Sequence, residues 1–95
     1  MIKDHGVFSL YSPQSVRFAP STIYCRNENG IDWYDIAHSK PIGRYFYIIH
    51  PETGKICGQD TDPERIWPLE HRIVETDFPV EEGRIWDGQA FVMPT

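Results

Sequence analysis

No stretch of the chain restricts the fold more than Arg44 to Asp60, RYFYIIHPETGKICGQD. Tyr45 through Ile49 are aromatic or β-branched without a break, which favours an extended strand and leaves no polar stripe of helical period. Pro51 presets φ and Gly54 accepts a positive φ, so Pro51-Glu52-Thr53-Gly54 fits a four-residue hairpin loop built on a type I turn. Counting outward from His50 and Lys55 pairs Ile49 with Ile56, Ile48 with Cys57, Tyr47 with Gly58 and Phe46 with Gln59, and opposite residues share a face. On that register Tyr45, Tyr47, Ile49, Ile56 and Gly58 point one way. Phe46, Ile48, His50, Lys55, Cys57 and Gln59 point the other. A strand apolar on both sides needs two covers. Such a strand is either covered twice by its own chain or meets a partner chain; at 95 residues the chain is read as one domain over 1–95 with a thin core, which leaves room for a partner as the second cover.

On the N-terminal side, Val7 to Tyr11 alternates loosely and reads as a short strand, and Ser12-Pro13-Gln14-Ser15 breaks it. Val16-Arg17-Phe18 begins a second extended piece, and Ile23-Tyr24-Cys25 a third, ahead of the Asn27-Glu28-Asn29-Gly30 turn. Ile31 to Ala37 fits both periods and is read as an irregular or briefly helical segment that packs Trp33 on the core. Ser39 to Gly43 is a loop. After the hairpin, Asp62 as N-cap, Pro63 at the first helical position and Glu64 start a helix that Pro68 stops within a turn. His71 to Phe78 reads as a strand with Arg72, Val74, Thr76 and Phe78 opposite in face to His71, Ile73, Glu75 and Asp77. Asp87-Gly88 then predicts a two-residue turn pairing Trp86 with Gln89, Ile85 with Ala90 and Arg84 with Phe91, with Arg84 against the Phe91 ring. The fold class that follows is all-β or β-rich α+β. It is a small antiparallel sheet built from hairpins, the central one over about 44–59 and a C-terminal one over about 83–93, with at most one or two short helical turns.

Charge and composition narrow the function. Nine Lys plus Arg against fourteen Asp plus Glu give −5, and the basic residues are scattered from Lys3 to Arg84, so nucleic acid is set aside as a partner. No run approaches a membrane span, which sets the membrane aside as well. The opening MIKDHGVFSLYS is unlike a signal peptide, and two cysteines are too few for a disulfide scaffold, so a reducing cytoplasm is expected. Asp60, Asp62 and Glu64 alternate as in a calcium loop, but an EF-hand needs Gly and Glu where this chain has Arg65 and His71, so a capped turn is the better account. Cys25, His38, His50, Cys57 and His71 show no paired-ligand spacing for zinc, and no metal or cofactor is expected. Cys57 lies diagonally from His50 on one hairpin face, yet nothing supplies an orienting residue or an oxyanion hole, and a buried structural thiol is the plainer reading. No enzyme is therefore expected. The remaining candidates are interaction residues: Tyr45, Tyr47 and Ile49 on one face of the central strand, and Trp33, Trp67 and Trp86 as aromatic anchors.

The order of four motifs adds a further indication. Phe8-Ser9-Leu10-Tyr11-Ser12-Pro13, the Gly54-Lys55-Ile56 hairpin, Pro68 followed by Arg72-Ile73-Val74-Glu75, and the closing Trp86-Asp87-Gly88-Gln89-Ala90-Phe91-Val92 resemble small tail-associated proteins from the tail-fibre region of tailed bacteriophages and prophages. The resemblance covers about the last two-thirds of the chain. It departs from the usual fibre-assembly chaperones, which finish in a helical, charged tail where this chain has Val92-Met93-Pro94-Thr95. What it implies is a non-enzymatic structural or protein-interaction protein, partnered by other phage structural proteins or by itself. It also implies a place in the bacterial host cytoplasm during assembly or in the virion. The competing expectation is a small-ligand or carbohydrate-binding module that uses exposed Trp side chains.

Overall fold

Strands dominate, as the aromatic and β-branched runs require. The computed structural model describes residues 2–12, 24–38 and 45–94. Within them lie β1 (Ile2–Val7), β2 (Ser9–Tyr11), β3 (Tyr24–Arg26), α1 (Trp33–His38), β4 (Tyr45–Ile49) and β5 (Ile56–Asp60), then a 3₁₀ turn (Pro63–Arg65), β6 (Arg72–Thr76), β7 (Ile85–Trp86) and β8 (Phe91–Val92). A four-stranded antiparallel sheet in the order β1-β6-β4-β5 forms the centre, flanked by the β2-β3 and β7-β8 pairs. The fold is thus β-rich, built from small antiparallel sheets with short helical turns. The extended piece expected at Val16-Arg17-Phe18 and the loop at Ser39 to Gly43 lie outside the described residues.

The central hairpin starts on the expected register and then departs from it. His50 N donates to Lys55 O at 2.8 Å and Gly54, at φ +76°, closes the turn. Ile49 faces Ile56, but beyond them Ile48 faces Gly58, Tyr47 faces Gln59 and Phe46 faces Asp60. Cys57 is the extra residue of a β-bulge, and it turns the rest of β5 over. Gly58 therefore sits on the Ile48 face, where a Cβ would stand 3.3 Å from Ile48 Cδ1, and Gln59 joins the Tyr47 face. The last hairpin also differs from expectation. Trp86 faces Phe91 and Ile85 faces Val92, so the loop holds four residues. Asp87 closes it, its Oδ1 accepting from both Gln89 N and Ala90 N at 2.8 Å. These two amides hold the Asp87 carboxyl below the usual carboxylate range.

Both faces of β4 are covered by the chain itself. Phe46 and Ile48 face a core of Phe8, Cys25, Trp33, Ile36, Ala37, Ile66 and Ile73, roofed by α1, β3 and the 3₁₀ turn. Tyr47 and Ile49 face a second core with Val74, Trp86, Ile56, Val80 and Phe91, roofed by the β7-β8 hairpin. Of the two alternatives for this strand, the one that holds is coverage on both faces by its own chain, and the reading in which a partner supplies the second cover is corrected. Large aromatic side chains let two thin cores close where one thick one could not, with Phe8, Trp33 and Phe46 in the first and Tyr45, Tyr47, Trp86 and Phe91 in the second. Trp33 anchors the first, meeting Phe8 edge-on at a centroid distance of 5.3 Å and donating from Nε1 to Ile66 O at 3.1 Å. Asp32 caps the start of α1, its Oδ1 accepting from Tyr34 N at 2.7 Å. Burial and the nearby Asp32 carboxylate push the Cys25 thiol up.

β1 enters the sheet through a second bulge at His5, between the Asp4–Val74 and Gly6–Ile73 pairs. The bulge directs His5 inward, where its Nε2 lies 2.8 Å from Glu75 Oε1, both residues being buried. Asn27 Nδ2 donates to His5 O at 2.8 Å and ties this strand to the Asn27–Gly30 turn. Pairing of this kind offsets the cost of burying polar groups.

Candidate functional site

β5 is an edge strand, with only β4 beside it in the sheet. Its exposed side chains include Lys55, just ahead of the strand, and Gln59. Facing it is the segment that leads into β7. Val80 N donates to the Tyr47 hydroxyl at 2.8 Å, which fixes that segment over the second core. Arg84 stiffens it further, donating from Nη2 to Glu81 Oε2 at 3.1 Å and from Nη1 to the Phe91 carbonyl at 3.5 Å. The guanidinium thus meets the Phe91 backbone, where the sequence suggested its ring. Lys55 bridges to Ile85, and Trp86 N donates to Gly54 O at 2.9 Å, so β7 closes one end of the gap.

Between these two walls runs a groove of about 670 Å³. Ile56, Val80, Ile85 and Pro94 give it apolar sides, while Lys55, Arg84, Glu81 and Glu82 bring both signs of charge to it and Gln59 a neutral amide. An apolar trough beside a sheet edge has the components of strand addition. The edge offers backbone hydrogen bonds, and the trough takes alternate side chains. A bulge and a lysine on the edge work against indiscriminate pairing, so a segment that binds here has to match the groove.

The residues singled out from the sequence do not gather at this groove. Trp33, Tyr47, Ile49 and Trp86 are 2%, 1%, 0% and 7% exposed, because the two cores that the chain closes on itself enclose them. Tyr45 is half-buried at the margin of the second core. Trp67 alone of the six presents a large surface, at 43% exposure. The three indoles sit in different places, one in each core and one outside, so they form no common platform. Trp86 Nε1 is buried with no hydrogen-bond partner among the described residues.

The thiol and imidazole of the central hairpin are also engaged separately. Cys57, exposed at its bulge, donates to Lys55 O at 3.7 Å. His50 Nδ1 accepts from Glu52 N and Thr53 N at 3.2 Å each, which places its ring in the turn. Among the described residues no group of three or more His, Cys, Asp and Glu side chains could hold a metal ion. The acidic run forms the capped turn, with Asp62 Oδ1 accepting from Glu64 N at 3.0 Å.

Sequence reasoning passed over Val80, Glu81 and Pro94, which line the groove. It also missed the His5–Glu75 pair. Nothing local marks two polar residues that meet across 70 positions of chain. A carboxylate directly before the helical Trp33 did carry a signal, since Asp is a preferred N-cap and Asp32 acts as one. The chain matches no protein-family model, no curated protein and no solved structure.

Proposed function

We propose that the protein works without catalysis, as a structural or interaction protein that holds an extended segment of a partner in the groove beside β5. The groove carries this reading, because it joins an edge strand to an apolar trough with charges of both signs around it. Such a site gains affinity from main-chain pairing and selectivity from the side chains that enter the trough. Its resemblance to tail-associated phage proteins supports a partner among phage structural proteins, met in the bacterial host cytoplasm during assembly or in the virion.

Co-expression with the tail proteins of a phage-producing strain, followed by sedimentation of the purified material, tests the proposal. The expected result is a defined complex with one tail protein that is lost in the double variant Lys55→Glu, Gln59→Glu, while the unfolding midpoint is kept. Both positions are exposed, so the substitutions act on the groove rather than on the core. A chain that sediments as a monomer and binds none of those proteins refutes the proposal. A homodimer that forms without them refutes the choice of partner.

A further inference from the structure

A second recess, of about 240 Å³, lies between α1 and the 3₁₀ turn, away from the β5 groove. Ala37, Ile66 and Trp67 give it an apolar wall, and His38, Glu64 and Arg65 stand around it. Trp67 follows a well-anchored stretch of backbone. Ile66 O accepts from the Trp33 indole at 3.1 Å, Ile66 N donates to Pro63 O at 3.2 Å, and Ile66 and Pro68 on either side are buried. The exposure of the Trp67 ring is therefore presentation on a fixed support, which lowers the ordering cost of binding.

The polar groups around the recess already have partners within the chain. His38 Nε2 lies 3.8 Å from Glu64 Oε1, and Arg65 Nε lies 3.4 Å from Asp62 Oδ2. A charged ligand would have to displace one of these partners. A wholly apolar ligand would strip water from the carboxylate and the guanidinium without replacing it, which costs free energy. What fits is a neutral ring with an apolar face for the indole and hydroxyl groups at its edge, since a hydroxyl both donates and accepts. We propose that Trp67, Glu64, Arg65 and His38 form a binding site for a neutral sugar ring, stacked on the Trp67 indole and hydrogen-bonded through its hydroxyls to Glu64 and Arg65.

The test follows the Trp67 indole N–H in nitrogen-15 correlation spectra while the methyl glycosides of glucose, galactose, mannose and N-acetylglucosamine are titrated in turn. At least one glycoside is expected to give a saturable shift at Trp67, with Kd on the order of 1 mM. In variants that lack the indole, binding is followed at the backbone amides of Glu64 and Arg65; Trp67→Ala should weaken it about tenfold or more through loss of the stacked ring, and Trp67→Phe by less. Arg65→Ala, at a side chain 72% exposed, leaves the fold intact and should weaken binding as well, which keeps the test decisive if Trp67→Ala does not fold. The proposal is overturned if none of the four glycosides moves the Trp67 signal, or if binding survives unchanged in Trp67→Phe and Arg65→Ala. Binding of the tail protein in the β5 groove should be unaffected by either variant, so the two proposals stand or fall separately.

Discussion

Gly54 is the position where one methyl group should do most harm. Its φ of +76° is nearly that of Gly30, at +80°, so replacing either by alanine incurs a similar left-handed conformational cost, about 1 kcal/mol after the gain in chain stiffness is offset. Around Gly30 a new Cβ meets nothing within 4 Å. At Gly54 it would stand 2.2 Å from the Trp86 carbonyl oxygen and 3.2 Å from its carbon. Backbone cannot swing aside as a long side chain can, so the β7-β8 hairpin has to retreat. Retreat breaks the Trp86 N to Gly54 O hydrogen bond of 2.9 Å, worth about 1 kcal/mol net. It also loosens Trp86, whose complete loss from a core would cost about 3–5 kcal/mol, so partial exposure adds about 1–2 kcal/mol. Gly54→Ala should therefore lose about 3–4 kcal/mol and Gly30→Ala about 1 kcal/mol, a gap that survives any error in the shared backbone cost. Urea unfolding followed by circular dichroism measures both, and equal losses in the two variants would refute the packing argument.

Trp33→Phe and Trp86→Phe remove the same indole edge from different surroundings. The first orphans the Ile66 carbonyl and should cost about 2 kcal/mol more than the second, which removes a donor already lacking a partner; comparable midpoints in denaturant would contradict this. One thiol per chain, that of Cys57, should react promptly with Ellman's reagent, and Cys25 only on unfolding, because burial and Asp32 raise its pKa. Two fast thiols would show that the first core is open. Asp87 titrates lower in the folded loop than in the unfolded chain, so its contribution is full above the ordinary carboxylate range and is lost as pH falls through the lowered folded value. The acid limb of the stability curve should lose that component in Asp87→Asn, and an unchanged limb would count against the loop geometry.

Much of the fold could be read from residues next to one another. The run Tyr45 to Ile49, the Pro51–Gly54 turn, the Asp62 cap and the Asn27–Gly30 turn each depend on local chemistry, and each is found where expected. Pairing that depends on distant residues was less legible. Nothing in KICGQD says that Cys57 bulges, because the bulge reconciles the turn with the face that Gln59 and Gly58 must take against β4. Val7 to Tyr11 alternates as one strand, yet the buried Phe8 divides it, bridging to Leu69 and leaving β1 and β2 in different sheets. The second cover on β4 was misjudged because hydrophobic pattern gives the faces of a strand but not the reach of a hairpin forty residues later. The same limit hid the groove, whose two walls come from separate stretches of chain.

The sheet order also sets a timetable. β1 is made first yet pairs with β6, and His5 must wait for Glu75, 70 residues downstream, before its ring has a partner. At about 5–20 residues per second of synthesis, that wait lasts seconds, during which the hairpin of β4 and β5 can already exist while the β4 edge reserved for β6 stands open. A sheet closed by its most distant pairing folds slowly and is vulnerable while it does. Slow release from the ribosome should therefore raise the yield of folded chain.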